Sequence, residues 1–359
     1  MIELRNEEQR KKYIPRIWLK IFREDPEEFR DEFVDAGVLN YLYQVTSKNK
    51  TIFLKQALGK TKHWRVIGKD LASISMDRLK CEGRYIDIVK KFLPKGVEVP
   101  NILNYDEENN ILALSDVKKD GILLETSMLN GNFNELTAYR LGEFLGVSNR
   151  NTMGKKIIIR GTPEDDLKNW HLFLNMRTRG ILQREKFPDE VVSEIESLYN
   201  LAKGKYTKAV LVITDYCPKN VLERKDGKIG LVDFEQACGV GDLAFDLGFL
   251  MGHYLIIGVI NKQKAESAIR AMKQILAGYN KEMAGLKDKY HDERLIKYAG
   301  AVMVYRITGS SKVGWIKSED APLIKEIGFH LITSSFKNGF DDVFTSLGKK
   351  LVMAKNHHT

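Results

Sequence analysis

The strongest constraint on the fold of this 359-residue chain is a set of polar residues at defined spacing between positions 213 and 246. Asp215 is followed five residues later by Asn220, and Asp233 ends a segment that is typical of a β-hairpin with its turn at 225–228. The two arms of a hairpin lie side by side, so we expect Asn220 and Asp233 to lie close together. Side chains on loops that rigid strands hold in place are well suited to function.

These residue types suit the transfer of a phosphoryl group from a nucleotide. That reaction needs a carboxylate to orient the acceptor hydroxyl and oxygen ligands to hold magnesium, because its transition state is stabilised mainly by positioning and charge. Magnesium binds few protein oxygens and leaves its other positions to water and phosphate. Asp215, Asn220 and Asp233 supply groups of this kind.

The first third of the chain has β character. Residues 40–46 and 51–57 are rich in β-branched and aromatic residues, and the polar segment 47–50 between them predicts a hairpin. Apolar residues at helical spacing predict an amphipathic helix over 75–93. Shorter strands are expected at 101–104 and 111–114.

Beyond Gly121 the pattern is mostly helical. Helices are predicted over 134–145, 163–179 and 188–202 and in several long segments after residue 243, with a β insertion at 209–232. The sequence thus predicts an α+β, bilobal fold with a small β-rich N-terminal lobe, residues 1–116, and a larger, mostly helical C-terminal lobe, residues 117–359.

Composition narrows the function classes. The net charge is +9, but basic and acidic residues are interspersed, so the charge indicates an anionic small substrate such as ATP as readily as a nucleic acid. No stretch reaches the roughly 20 apolar residues of a membrane span, and the N-terminus lacks the apolar run of a signal peptide. With only 3 cysteines, we expect no disulfide framework and a cytoplasmic location.

The segment Ile213-Thr214-Asp215-Tyr216-Cys217-Pro218-Lys219-Asn220, with Asp233-Phe234-Glu235 and Gly241-Asp242-Leu243-Ala244-Phe245-Asp246, resembles the catalytic region of the aminoglycoside phosphotransferase and choline kinase superfamily. The resemblance implies a kinase-like fold, ATP and Mg²⁺ as cofactors, and a small-molecule alcohol as acceptor. It makes Asp215 the catalytic base and Asn220 and Asp233 the magnesium ligands, with Glu235 assisting. Ile213 departs from the family, which usually has His there.

The N-terminal part resembles the methylthioribose kinase branch of that superfamily more narrowly. The matching blocks are Gly37-Val38-Leu39-Asn40-Tyr41, Lys55-Gln56-Ala57-Leu58, and Arg78 with Glu82. The resemblance implies that Lys55 pairs with the α- and β-phosphates and with Glu82. It also implies nucleotide contacts from Gly37 and Asn40 and from Ser115 and Val117, where the lobes join.

Three further residues have expected roles in the C-terminal part. The segment Tyr305-Arg306-Ile307-Thr308-Gly309 resembles the paired arginines that contact the sugar in methylthioribose kinases, although only the second arginine is present. Arg306 is therefore a candidate substrate ligand, and Lys219 is a candidate ligand of the γ-phosphate. Asp242 is expected to cap the following apolar helix and to brace the loop of Asp215.

The sequence leaves the acceptor open between a sugar, such as methylthioribose, and an amino alcohol. The leading hypothesis is a magnesium-dependent kinase. The alternatives are a catalytically silent pseudokinase that regulates by binding nucleotide, for which Ile213 is the supporting feature, and a protein kinase, which the lack of an Ala-Pro-Glu signature disfavours. We expect neither a nucleic acid nor a membrane as partner, and a homodimer is left open.

Overall fold

A computed structural model describes residues 1–34, 39–58, 77–203 and 209–356, with side chains up to residue 348. The chain divides into two compact units. The first comprises residues 1–91, 98–119 and 230–236, and the second comprises residues 92–97, 120–229 and 237–359. Segment 230–236, which carries Asp233 and Glu235, is thus grouped with the N-terminal residues.

The first unit is built on a five-stranded antiparallel sheet of order β1-β2-β3-β6-β5. The predicted hairpin is confirmed, since β2 and β3 pair from Tyr41↔Gln56 to Ser47↔Lys50. Up to residue 115 the strands are β1 (Phe29–Phe33), β2 (Tyr41–Ser47), β3 (Lys50–Gln56), β4 (Val97–Glu98), β5 (Ile102–Asp106) and β6 (Ile111–Ser115), and only Glu98 of β4 belongs to the first unit. Of these, β4 lies outside the five-stranded sheet.

Helix α1 (Glu7–Phe22) packs against this sheet. Its apolar residues form one buried cluster with alternate residues of β2, β3 and β6: Tyr13, Ile14, Ile17, Trp18, Tyr43, Val45, Ile52, Leu54, Ile111 and Ala113. Because successive side chains of a strand point to opposite faces, the burial of Ile52 and Leu54 in this cluster directs Lys55 to the other face of β3. The sequence reading did not identify α1, although Asn6 caps it by accepting a hydrogen bond from the backbone N–H of Gln9.

The amphipathic helix predicted over 75–93 is α2 (Arg78–Val89), which continues into a 3₁₀ turn at Lys90–Phe92; residues 75 and 76 lie outside the described part of the chain. Its buried residues include Glu82 and Tyr85. The Tyr85 ring stacks on that of Phe234, with centroids 4.6 Å apart. This contact joins α2 to segment 230–236 within the first unit.

The second unit is mostly helical, in agreement with the predicted fold class. Its strands are β7 (Ile122–Leu123), β8 (Val221–Glu223) and the start of β9 (Ile229–Leu231). Its helices are α3 (Leu124–Leu129), α4 (Glu135–Thr152), α5 (Pro163–Arg177), α6 (Asp189–Lys203), α7 (Phe245–Ile260), α8 (Ala265–Met283), α9 (His291–Thr308), α10 (Ala321–Thr333) and α11 (Phe340–Asn356). One sequence prediction is wrong in detail, because segment 209–213 forms only a single bridge, Val212↔Cys238, rather than a strand.

Helix α7 lies in the core of this unit, and nearly all of its residues are buried. Close packing against α9 requires two glycines. A Cβ at Gly248 would lie 2.9 Å from the carbonyl oxygen of Leu295, and one at Gly252 would lie 2.8 Å from that of Ala299. In the described parts of the chain, no helix combines the length and apolarity needed to cross a lipid bilayer.

Candidate active site

In the first unit, Lys55 lies at the centre of a buried carboxylate cluster. Its Nζ donates to Glu82 Oε2 at 2.7 Å and to Asp233 Oδ1 at 2.6 Å, and it lies 3.4 Å from Glu235 Oε2. The side chains of Glu82 and Glu235 are almost fully buried, whereas that of Asp233 is 29% exposed. Asp233 therefore presents the most accessible carboxylate of the cluster.

The charges in this cluster depend on one another. Burial by itself would lower the pKa of Lys55, but the carboxylates of Asp233, Glu235 and Glu82 outweigh burial and raise it well above its usual value. Burial raises the pKa of Glu82 to about 7, although the Lys55 charge opposes that shift. A cationic Lys55 is thus stabilised by its surroundings, as a phosphate-binding lysine requires.

Glu235 is held from a second direction by a polar network. Asn40 donates its amide N–H to Glu235, and Arg78 Nε donates to Asn40 Oδ1 at 2.8 Å. The Arg78 guanidinium also bonds the carbonyl oxygen of Leu39 at 3.0 Å and lies 3.8 Å from Glu235 Oε2. Asn40, expected at the nucleotide, is therefore directly bonded to a carboxylate of the candidate site.

The donor set suits a hard divalent cation. Among the described residues, Glu82, Asp233 and Glu235 each offer a carboxylate oxygen, and these oxygens lie within 4.8 Å of one another. Oxygen ligands of this type are what magnesium prefers. Asp233 itself has a left-handed backbone, with φ of 68°. Non-glycine residues adopt this conformation rarely, and such residues cluster at functional sites.

Three other residues were predicted to bind nucleotide: Ser115, Val117 and Gly37. Ser115 ends β6, and its hydroxyl accepts a hydrogen bond from the backbone N–H of Asn101 at 2.8 Å. Val117 is buried next to Gly230, where an added Cβ would lie 3.0 Å from the Val117 carbonyl oxygen. Gly37 lies outside the described residues.

In the second unit, the loop that carries Asp215 is held by the carboxylate of Asp246, the second residue of α7. Asp246 accepts hydrogen bonds from the backbone N–H groups of Ile213 at 2.6 Å and Thr214 at 2.9 Å. Thr214 is left-handed, with φ of 64°, which is a genuine outlier for a β-branched residue. The two hydrogen bonds hold this strained backbone directly before Asp215.

The bracing role that the sequence suggested for Asp242 therefore belongs to Asp246. Asp242 pairs instead with Arg294, at 2.9 Å from Nε, and accepts from the Tyr298 hydroxyl at 2.8 Å. It also accepts from the backbone N–H of Ala244, immediately before α7. The N-cap residue of α7 is Ala244, and no side chain caps the helix, so the predicted capping role of Asp242 is wrong. Asp242 instead ties the turn before α7 to α9, which is a structural role.

Asp215 is surrounded by cations and is only 4% exposed. Arg177 donates to its Oδ1 at 3.3 Å, Lys219 Nζ lies 2.9 Å from its Oδ2, and an Arg306 terminal nitrogen lies 3.7 Å from Oδ1. Burial alone would raise the pKa of Asp215, but the charges of Lys219, Arg177 and Arg306 bring it well below its usual value. Asp215 is consequently ionised at neutral pH.

Asn220 bonds the backbone and side chain of Asp215. Its Nδ2 donates to the Asp215 carbonyl oxygen at 3.0 Å and to Oδ2 at 3.3 Å. Since the amide nitrogen makes these bonds, the amide oxygen is the atom with which Asn220 would ligate a cation. Asn220 belongs to the second unit and Asp233 to the first, so their expected proximity stays a prediction.

Three residues near Asp215 or its cationic partners were not identified from the sequence: Arg177, His253 and Glu125. Arg177, the last residue of α5, contacts Asp215 directly. His253 accepts a hydrogen bond from Arg306 at 2.9 Å. Burial raises the pKa of Glu125, which is hydrogen-bonded to Trp315 and feels the charges of Lys219 and Arg306. Each lies dozens of residues from Asp215 in sequence, so no local pattern marks it.

Comparison with known proteins places the chain in a family. The family model described as "Phosphotransferase enzyme family" matches residues 31–268. A methylthioribose kinase of Bacillus cereus is 29% identical over 112 residues, which are 31% of this chain and 27% of the relative. The match therefore spans about a quarter of that relative's length.

Solved structures share the fold at low sequence identity. Wild-type aminoglycoside 2'-phosphotransferase-IIIa, solved as its GDP complex, has a TM-score of 0.51 and 15% identity, covering 90% of this chain and 97% of that one. Macrolide 2'-phosphotransferase MphH from Brachybacterium faecium has a TM-score of 0.50 and 14% identity, covering 91% and 100%. The α+β, kinase-like fold and the match of the family model agree: the chain belongs to the phosphotransferase enzyme family.

Proposed function

We propose that this chain is a small-molecule kinase that transfers the γ-phosphoryl group of ATP to a hydroxyl of a sugar or an amino alcohol, with magnesium as the metal. Lys55 binds the α- and β-phosphates, and Glu82 holds Lys55 in place. Asn220 and Asp233 ligate the metal with help from Glu235. Residues 1–116 form the nucleotide-binding lobe, and residues 117–359 carry the catalytic loop and the acceptor site.

The observation that carries this proposal is the environment of Asp215. A general base must be ionised and held in a defined orientation. The surrounding cations lower the pKa of Asp215, and Asn220 donates to both its backbone and its carboxylate. We infer that Asp215 accepts a hydrogen bond from the acceptor hydroxyl and takes its proton as the bond to phosphorus forms.

The carboxylate cluster around Lys55 supports the proposed binding of the nucleotide. A lysine bonded to a helix glutamate and next to an aspartate is the arrangement that kinases use to bind phosphates and metal. Lys55, Glu82 and Asp233 have these contacts at 2.7 Å and 2.6 Å. Arg306 and Lys219 lie 3.7 Å and 2.9 Å from the Asp215 carboxylate, and we propose that they bind the acceptor and the γ-phosphate respectively.

The test is a screen for nucleotide consumption that depends on an added alcohol. Purified protein is incubated with Mg²⁺ and either ATP or GTP, because a structural neighbour was solved with GDP, and with methylthioribose, choline, an aminoglycoside or a macrolide. Release of nucleoside diphosphate is followed with a coupled assay, and the phosphorylated product is identified by mass spectrometry. We expect one class of acceptor to stimulate diphosphate release, and omission of Mg²⁺ to abolish it.

The pseudokinase alternative makes a different prediction for the same screen. It expects nucleotide binding without turnover on any acceptor. Ile213 gives this alternative little support, because Asp246 holds the loop through the backbone N–H groups of Ile213 and Thr214, and these bonds do not depend on the side chain at position 213. Nucleotide binding together with silence across the whole panel would favour the regulator over the kinase.

A further inference from the structure

His253 is a buried histidine whose two ring nitrogens have different partners. It lies in α7 and is 2% exposed. Nδ1 lies 2.8 Å from the carbonyl oxygen of Phe249, one turn earlier in the same helix. A carbonyl oxygen can only accept a hydrogen bond, so Nδ1 carries the proton. In a neutral imidazole, Nε2 is then an acceptor, and Arg306 Nε donates to it at 2.9 Å.

Arg306 is fixed by bonds in several directions. One terminal nitrogen donates to both the carbonyl oxygen and the hydroxyl of Ser311, each at 3.1 Å. The other terminal nitrogen lies 3.7 Å from Asp215 Oδ1. A guanidinium is planar and has donors only. The bonds at Nε and at one terminal nitrogen therefore define the direction in which the remaining nitrogen approaches Asp215.

The same face of α7 supports both arginines near Asp215. Phe249 and His253 are four residues apart, and their ring centroids are separated by 4.9 Å. The Phe249 ring lies 4.7 Å from the guanidinium carbon of Arg177 and 5.4 Å from that of Arg306. Cations within about 6 Å of an aromatic centroid are attracted to its face. His253 and Phe249 thus form a buried surface of α7 against which the guanidinium groups of Arg177 and Arg306 pack.

We propose that His253 is a positioning residue that acts as a neutral hydrogen-bond acceptor for Arg306 Nε and thereby sets the orientation of the Arg306 guanidinium beside Asp215. The assignment of Arg306 to acceptor binding rests on the proposed function, whereas the orientation of the side chain does not. His253 does not touch the reacting atoms. Its effect on phosphoryl transfer passes through Arg306.

The surroundings favour the neutral form of His253. Burial and the Arg306 charge lower the pKa of His253 well below its usual value, and the Phe249 carbonyl and the Asp215 charge oppose them only in part. A protonated ring would direct an N–H at the N–H of Arg306 and break the contact. The imidazole therefore acts through its lone pair, and a side chain with an acceptor at the same place can replace it.

The experiment uses the full chain with ¹⁵N-labelled arginine and histidine. The Arg306 Nε–H resonance is assigned by its loss in Arg306→Lys, and its exchange with water is compared in wild type, His253→Leu and His253→Gln. His330→Leu is the matched control, because His330 lies in α10 and bonds the Ser334 hydroxyl at 2.8 Å. We expect exchange at least about tenfold faster in His253→Leu and close to wild type in His253→Gln and in the control, as one lost hydrogen bond predicts.

If His253→Leu does not fold, the ¹⁵N resonances of the histidine ring in the wild type still test the proposal, because they report which ring nitrogen carries the proton. They should show His253 protonated at Nδ1 alone from pH 6 to pH 8. A doubly protonated ring, protonation at Nε2, or unchanged Arg306 exchange in His253→Leu would each overturn the proposal.

Steady-state kinetics with Mg-ATP and methylthioribose or choline then test the effect on the acceptor. The expected pattern is a raised KM for the acceptor in His253→Leu, an unchanged KM for ATP, and recovery in His253→Gln. Equal KM values in wild type and His253→Leu would contradict the functional consequence. If wild type turns over neither alcohol, the proposed function is in doubt, and the resonance measurements still decide how Arg306 is held.

Discussion

Asp246 accepts a hydrogen bond of 2.6 Å from the backbone N–H of Ile213. The contact joins the start of α7 to the residue where the family usually has histidine, and the neighbouring N–H of Thr214 bonds the same carboxylate at 2.9 Å. The two bonds hold the loop before Asp215 through its backbone and do not depend on the side chain at position 213.

Replacing Asp246 by alanine should loosen this loop. The change removes the acceptors of two buried N–H groups, each of which costs about 1–3 kcal/mol when left without a partner. We expect a lower free energy of unfolding in urea and a lower kcat. Asp342→Ala is the control, because Asp342 also accepts from a backbone N–H, that of Asn338, but at a more exposed position in α11. An equal loss of stability in both variants would argue against a special role for Asp246.

Ile213→His tests whether the departure from the family pattern matters for activity. Because the loop is already held through its backbone, we expect kcat to change by less than about tenfold, equivalent to 1.4 kcal/mol in the barrier. The measurement is acceptor-dependent diphosphate release under saturating Mg-ATP. An inactive wild type that becomes active on this substitution would instead show that Ile213 silences the protein.

Lys55→Met should weaken the interaction of the site with the phosphates of ATP. Without the ammonium, the carboxylates of Glu82, Asp233 and Glu235 are left together, and a donor to the phosphates is lost. We expect kcat/KM for ATP to fall by about 10²-fold or more, as for the loss of a charge-stabilising donor. Lys50→Met is the matched control on the same strand, since Lys50 pairs with Glu24 at a more exposed position. An equal fall of kcat/KM for ATP in both variants would contradict the phosphate-binding role of Lys55.

The pKa of Asp215 leads to a prediction about acid stability. A carboxyl whose pKa is lower in the folded state contributes stability above its unfolded pKa, about 3.9, and loses that contribution as the pH falls towards the folded value. Asp215→Asn leaves Arg177 and Arg306 without their carboxylate, which at neutral pH should cost about 3–5 kcal/mol. The difference in unfolding free energy between wild type and Asp215→Asn should shrink as the pH is lowered from 5 to 3. A difference that stays constant would mean that the carboxyl is not held by these cations.

Much of the fold could be predicted because its signals are local. The β-branched and aromatic residues of β2 and β3, with the polar turn between them, mark the hairpin, and the apolar run of α7 marks a buried helix. Helix α1 was not predicted. Its capping residue and apolar spacing are present, but it also contains Pro15, and proline usually interrupts a helix. Segment 209–213 has strand composition but no continuous pairing partner, and a strand needs one.

In the candidate site, too, local features could be predicted and contacts between distant residues could not. The spacing of Asp215, Asn220 and Asp233 lies within one stretch of sequence and could be recognised. The contacts of Asn40 with Glu235 and of Arg177 with Asp215 join residues 195 and 38 positions apart, and no periodicity encodes them. The residues that hold the functional groups in place were therefore harder to predict than the groups themselves. The division of the lobes after residue 116 and the roles of the site residues stay predictions.

The most direct test of the central claim is the kinetics of Asp215→Asn on the best acceptor of the panel. Diphosphate release is measured at saturating Mg-ATP, and nucleotide affinity is measured separately by calorimetry. A base that takes the hydroxyl proton should be worth about 10²–10⁴-fold in kcat, so we predict a loss of that size with ATP affinity within about threefold of wild type. Turnover by Asp215→Asn at a rate close to that of wild type would contradict the assignment of Asp215 as the base and, with it, the proposed mechanism.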